Sequence, residues 1–358
     1  MSNGAIYSLR KMHGYLFEKK NHLKNKLKWR KYLTLPFGKK VYLVGTPEHT
    51  NIGDSAIVLA EIFFINKSIS ANRVKEITVQ EYQKNRHLIS SCINKKYLVC
   101  GHGGGNIGNQ WYAEELLRYD YLYDFSNNNT VIFPQTIYFT SDEEGIDAKE
   151  KSRFHYNAHN NLTIVAREHK SFELLNDLYS NPAKIITPDI VLSSTMDDYG
   201  IINTSRNGVL LVFRNDKEKA MSDSDRNLII EGFEKEKIRF KITDMHSECP
   251  ITKKNRFDCV RKKLQEFVQS NLVITDRLHG MVFAAITGTP CIVLSNYNHK
   301  VKGTYEWIKY LPYIKYAENV SDVEKYIPEL LAMDNCKYDN TPLKPYFDKL
   351  AEVVKSKC

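Results

Sequence analysis

The segment VITDRLHGMVFAAITGTPCIVL, Val273 to Leu294, carries the sharpest chemical signal in this 358-residue chain. Its apolar start, Leu272–Thr275, reads as a strand; Asp276 can cap a following helix, and Arg277 and His279 then fall in the first turn. Two cationic groups at a helix N-terminus oppose the macrodipole, which favours anions there. They make sense if an anion binds between them, the guanidinium acting as a fork for a carboxylate or phosphate and the imidazole as a proton donor near neutrality. A core histidine with a buried partner is the plainer alternative.

Other strand ends offer complementary groups. Arg167, in VAREHKS, stands where a strand passes into a helix and could reach an anion over the sheet edge, and Arg214, closing VLLVFR, has the same placement. A salt bridge to a nearby acid explains either equally well. In GTPEHTNIGDSAIVLAE, Gly45 to Glu61, an apolar strand breaks into a polar loop, and a helix starts near Asp54. Free backbone donors there suit an anionic or hydroxyl-rich ligand, with Asn51 and Asp54 at hand. The structural alternative is that Gly53 makes the turn and Asp54 caps the helix. The segment CGHGGGNIGNQW, Cys100 to Trp111, packs five glycines into eight positions and reads as a strand-to-helix turn, letting a ligand approach Gly104 and Asn106 closely. It is neither a dinucleotide fingerprint nor a P-loop, which argues against a dehydrogenase.

The elements that must position these residues alternate. Strand candidates are Val41–Gly45, Val74–Val79, Tyr97–Cys100, Val131–Pro134, Leu162–Ala166 and Lys184–Ile186, followed after a polar stretch by Val209–Phe213, Arg239–Ile242, Leu272–Thr275 and Cys291–Leu294. Helical stretches such as Asp225–Lys235 and Arg256–Val268 separate them. The pattern predicts an α/β chain: an N-terminal parallel-sheet unit over 41–195, a second over 206–330, and a terminal helix within 331–358 that could pack on either. Ligands of such sheets bind beyond the carboxyl ends of the strands, in the cleft between the units.

Charge is unevenly placed. Residues 1–40 hold 11 Lys or Arg against one acid, whereas the remaining residues carry 40 basic and 41 acidic side chains. A neutral body argues against a nucleic-acid partner. The basic extension lacks the apolar core of a secretion signal, and no stretch makes a good membrane span. With seven scattered cysteines and no CxxC pair, neither a disulfide framework nor a metal site is signalled, and the cytoplasm is the expected location. Leu9, Met12, Tyr15, Leu16, Leu23, Leu27 and Trp29 interleave with the lysines of residues 1–40. That pattern suits peripheral contact with anionic lipid at the inner face of a membrane, or a helix packed on the body or on a second copy in an oligomer.

The order NIGDSA, GHGGGN, FPQTIYF, VARE, TPDIVL, LLVFR and TDRLHG, then GTP and an apolar strand, resembles the polysaccharide pyruvyl transferase family over about residues 41 to 310. The resemblance implies two Rossmann-like domains facing a cleft, as in GT-B glycosyltransferases. It also implies transfer of a pyruvyl group from phosphoenolpyruvate to two hydroxyls of one sugar, forming a cyclic ketal and needing no further cofactor. The glycan acceptor could be free or lipid-linked. By the same resemblance Arg277, His279 and Arg167 hold phosphoenolpyruvate; their chemistry makes His279 the expected general acid and, with Arg277, catalytic, while Arg167, Arg277, Arg214 and Gln135 are expected to bind the donor. From the placement of the first unit's loops, Asn51, Asp54, Gly104 and Asn106 are expected to face the acceptor. GHGGGN departs from the plainer glycine loop of many members, so it implies no role for His102. A nucleotide-sugar glycosyltransferase and a non-catalytic glycan-binding relative are the alternatives.

Overall fold

The computed structural model describes residues 20, 23–34, 40–70, 73–202, 204–216, 221–295 and 299–358. Leu9, Met12, Tyr15 and Leu16 of the basic extension lie outside these residues. Helix α1 (residues 23–34) precedes the first unit. That unit runs β1 (Val41–Thr46), α2 (Ile52–Ile69), β2 (Val74–Thr78), α3 (Val79–Cys92), β3 (Leu98–Gly101), β4 (Gly104–Gly108), α4 (Tyr112–Asp124), β5 (Thr130–Tyr138), α5 (Glu143–Asn157), β6 (Leu162–Ala166), α6 (His169–Leu178) and β7 (Ala183–Ile186). The second contains β8 (Val209–Val212), α7 (Asp223–Lys235), β9 (Phe240–Thr243), α8 (Arg256–Val268), β10 (Leu272–Thr275), α9 (Leu278–Ile286), β11 (Cys291–Leu294), α10 (His299–Ile308), β12 (Ile314–Ala317) and α11 (Val320–Leu331). Helix α12 (Lys344–Lys357) closes the chain.

Two parallel sheets result, ordered β2-β1-β3-β5-β6-β7 with β4 beside β5, and β12-β11-β10-β8-β9. The central strands are continuous β-branched runs because helices cover both faces: VLLV of β8, LVIT of β10 and CIVL of β11 are buried at every position. Helix α2 is apolar around most of its circumference because it is enclosed, lying against α8 and α12. One core cluster therefore includes Leu43 and Val131 of the first sheet with Leu210 and Val273 of the second. The C-terminal helix chooses the first unit, where Phe347 packs on Phe64 with ring centroids 6.2 Å apart.

Two local readings change. The glycine-rich segment forms a strand at Gly104–Gly108 where a turn was expected, in register with β5 through Gly104↔Gln135 and Ile107↔Ile137. Glycine is needed there because a Cβ on Gly108 would sit 2.8 Å from the Tyr138 carbonyl carbon. Helix α2 is capped by Asn51, whose Oδ1 accepts from Gly53 N at 2.8 Å and Asp54 N at 3.4 Å, while Asp54 lies inside the first turn. Among the described residues no helix is long and apolar enough to cross a membrane.

Candidate functional site

A cleft of about 360 Å³ opens between the units, lined by residues of β4 and by residues that follow β1, β4, β6, β8, β9, β10 and β11. Its floor is fixed by main-chain pairing across the boundary: Ile52 N donates to Met245 O at 2.8 Å and Ser247 N to Thr50 O at 2.8 Å, around an antiparallel bridge between Asn51 and His246. His279, Arg277, Arg167, Arg214, Asn51, Asp54 and Asn106 all line this cleft. Gln135 and Gly104 do not.

Asp189 ties two of these groups together. It follows Thr187 and Pro188 after β7 and is fully buried. Its Oδ2 accepts from Arg167 Nη1 at 3.0 Å and lies 3.4 Å from His279 Nε2, an ion-pair distance looser than a well-made hydrogen bond. Burial opposes ionisation of Asp189. His279, Arg167 and the Val191 N–H outweigh it and hold the carboxyl below the usual carboxylate range. Arg167 is anchored further by Thr136 Oγ1, at 2.7 Å from Nη2 and 3.1 Å from Nε, and Gly105 leaves room for it, since a Cβ there would lie 2.9 Å from Nη2.

Arg277 is placed differently from the reading as a fork awaiting an anion. It occupies the N-cap position of α9, its side chain making no capping bond. Its Nε and Nη2 donate to the two carboxylate oxygens of Asp244, both at 2.7 Å, and Nη1 donates to Asp216 at 2.5 Å. The negative charge that balances this helix end is thus the protein's own. Burial disfavours the charged guanidinium, but these carboxylates raise its pKa above the ordinary arginine value. Asp216 also accepts from Arg214 Nε at 3.0 Å and lies 4.0 Å from His246 Nε2, so one carboxylate faces three basic side chains. Asp276, expected to cap α9, instead accepts from Arg214 N at 2.8 Å and from Arg226 at 3.2 Å.

On the opposite wall, Asn51 is spent on capping, and Asp54 pairs with His49 Nε2 at 3.4 Å. Asn106 is held by Glu114 and Arg118. Gln135 is buried behind the glycine strand, donating to His102 O at 2.9 Å and accepting from Asn106 N at 3.3 Å, so it shapes the wall without reaching the cleft. His102 forms a buried pair with Glu61 at 2.8 Å. Burial resists its protonation, yet the Glu61 carboxylate raises its pKa overall.

Residues that the sequence reading left out are mostly carboxylates and their neighbours: Asp189, Asp216, Asp244, His246, Trp111, Glu114 and Lys300. In the sequence the segment TPDIVL stands out only as part of the motif order. Its aspartate, within three residues of a strand end as Arg167 and Arg214 are, is the available signal.

Comparison with known proteins agrees with this layout. The description "Polysaccharide pyruvyl transferase" matches residues 51–299. General stress protein 30 of Bacillus subtilis is 33% identical over 317 residues, covering 86% of this chain and 91% of that protein. Pyruvyl transferase 1 of Schizosaccharomyces pombe is 27% identical over 274 residues, 72% of this chain and 66% of its own. The crystal structure of a functionally uncharacterised protein from Klebsiella pneumoniae superposes with a TM-score of 0.53 over 83% of this chain and 98% of its own, at 16% identity, a likeness of fold. The match from Asn51, the cap of α2, to His299, the first residue of α10, takes in every cleft residue named above except His49, Thr50 and Lys300, and the chain belongs to the polysaccharide pyruvyl transferase family.

Proposed function

We propose that the protein transfers the pyruvyl group of phosphoenolpyruvate to two hydroxyls of one sugar, forming a cyclic ketal and releasing phosphate. The observation that carries this is Asp189, which sets Arg167 and His279 side by side in a cleft that also holds Arg214, Arg277 and Lys300. A donor with both a carboxylate and a phosphate needs about two cationic forks, and arginine suits both groups. His279 protonates the donor methylene, which becomes a methyl group, and the adjacent carbon turns electrophilic. One sugar hydroxyl then forms a C–O bond to that carbon and gives its proton to the now neutral His279. The second hydroxyl forms another as the bond to phosphate breaks, its proton leaving with the phosphate. The Asp189 carboxylate stabilises the cationic imidazole before transfer and orients its ring.

The sugar occupies the first-unit side. Trp111 is 40% exposed at the cleft edge, a flat apolar surface for a sugar's C–H face, with Asp54, Asn106 and Glu114 as hydrogen-bonding neighbours. The location that goes with this reading is the cytoplasm, where phosphoenolpyruvate is available.

The test is incubation of the full chain with phosphoenolpyruvate and candidate glycans, following phosphate release together with a mass gain on the sugar. Phosphoenolpyruvate alone raises the melting temperature, as a ligand bound only by the native state must. Stabilisation by a nucleotide sugar with none by phosphoenolpyruvate would replace this reading with a glycosyltransferase. Donor binding without turnover on any glycan would leave a binding protein.

A further inference from the structure

Helix α1 presents two unlike faces. Trp29 is 7% exposed and Leu33 fully buried, and both join the core beneath β1 and α3. Tyr42 donates to Leu33 O at 2.8 Å, and Tyr32 donates to Glu76 O at 2.9 Å with the Lys75 and Lys253 ammonium groups over its ring. These contacts fix the helix to the body. Leu23 and Leu27, one turn apart, are nevertheless 58% and 59% exposed. At 100° per residue their stripe lies about a third of a turn from the Trp29–Leu33 stripe, so the described part of the body covers one stripe and leaves the other uncovered.

The surroundings of the leucine stripe identify what can. Lys20, Lys24, Lys26, Lys28, Arg30 and Lys31 are all exposed, and residues 20–34 contain no acid. Lys26 and Arg30 flank the leucines on one side, Lys20, Lys24 and Lys31 on the other. Two apolar side chains between rows of cations match a surface that is anionic outside and apolar just beneath. A phosphate backbone alone gives the leucines nothing to bury in. A second copy of the helix would set six cations against six across a twofold axis.

We propose that α1 lies on an anionic membrane surface, Leu23 and Leu27 entering the headgroup boundary between flanking lysines while Trp29 and Leu33 hold the transferase body to it. The proposal is independent of the reaction assigned above. It places the cleft beside a membrane, where a lipid-linked glycan would be presented.

The experiment is cosedimentation of the full chain with vesicles of phosphatidylcholine containing roughly one-third phosphatidylglycerol, against vesicles of phosphatidylcholine alone. Binding to the anionic vesicles, about tenfold weaker at high salt and absent with neutral ones, is expected. Leu23→Ser/Leu27→Ser alters only exposed side chains, so it melts as the parent does and binds at least about tenfold more weakly. Indifference of the full chain to anionic vesicles, or undiminished binding by the double variant, overturns the proposal. So does a dimer in solution that the double variant abolishes, since that makes a second copy the occupant. Phosphate release with a soluble acceptor is unchanged in the variant, which separates this result from any failure of the assigned chemistry.

Discussion

Gly53 lies against the ring of His279: a Cβ at position 53 would sit 2.7 Å from Cγ and 2.9 Å from Cβ of the histidine. Helix α2 of the first unit thus determines where the imidazole of the second unit can stand. Alanine is the better helix former by about 1 kcal/mol, so Gly53→Ala has no intrinsic reason to unfold α2. It displaces the ring from Asp189 instead. We expect turnover to fall by about 100-fold, as for other small misplacements of reacting groups, with a melting temperature close to the parent's. A variant that keeps full turnover shows that the ring position does not limit the reaction.

Asp189→Asn tests the shared carboxylate. It keeps the side chain's shape and removes the charge facing Arg167 and His279. Leaving a buried guanidinium short of its partner costs about 3 kcal/mol of stability. The sign with pH follows from the depressed pKa of Asp189. Its contribution is fully present above the ordinary carboxylate value and is lost only as pH falls through the lower folded value. At neutral pH the variant therefore shows the whole deficit, and the gap between variant and parent narrows only in strong acid. An equal deficit at pH 7 and in strong acid would rule out charge as the cause.

The strands and the cleft were legible because their signals are local. Runs such as Leu272–Thr275 and Cys291–Leu294 are buried on both faces and carry their own β-propensity, and the groups that follow them line the cleft. The glycine strand was not legible, because three of the five residues of Gly104–Gly108 are glycines with little β-propensity, and only the fold shows that the Tyr138 main chain of β5 leaves no room for a side chain at Gly108. Pairing was equally hidden. Arg277 meets Asp244 from 33 positions away and Arg167 meets Asp189 from 22, distances over which no periodic pattern operates. A sequence therefore shows cations at strand ends without showing the carboxylates that hold them. Gln135 fails for the same reason: only the fold reveals that its amide is used up on His102 and Asn106.

Asp216 is placed to compete with the anionic donor proposed above. It contacts Arg277 and Arg214, both cleft residues, and its side chain is 29% exposed at the opening. Asp216→Asn weakens that internal pairing without removing the hydrogen-bonding shape. We expect KM for phosphoenolpyruvate to fall by about two- to fivefold, the scale of a partly exposed ion pair. A rise in KM makes Asp216 a support that orders the arginines and not a competitor.

His159 should govern part of the acid sensitivity of the fold. It is 2% exposed just after α5, and its Nδ1 accepts from Asn161 N at 3.1 Å, which fixes the neutral ring's proton on Nε2. Burial is the main cause that lowers its pKa from 6.5 to about 4, with Lys357 of α12 adding repulsion against a favourable Phe125 backbone contact. Between those values the unfolded chain binds a proton that the folded one refuses, so stability declines as pH falls from 6.5 towards 4 and is full above that window. The loss amounts to about 3 kcal/mol at most for one such group. Lys357 also donates to Asn161 O at 3.5 Å, and its own carbonyl accepts from Asn129 at 3.1 Å, so a charged His159 would loosen the docking of α12 on the first unit as well. His159→Gln retains an acceptor for Asn161 but cannot titrate. Denaturant melts of both proteins at intervals from pH 7 to pH 4 should show a steeper fall for the parent. Parallel curves would assign the acid sensitivity to other groups.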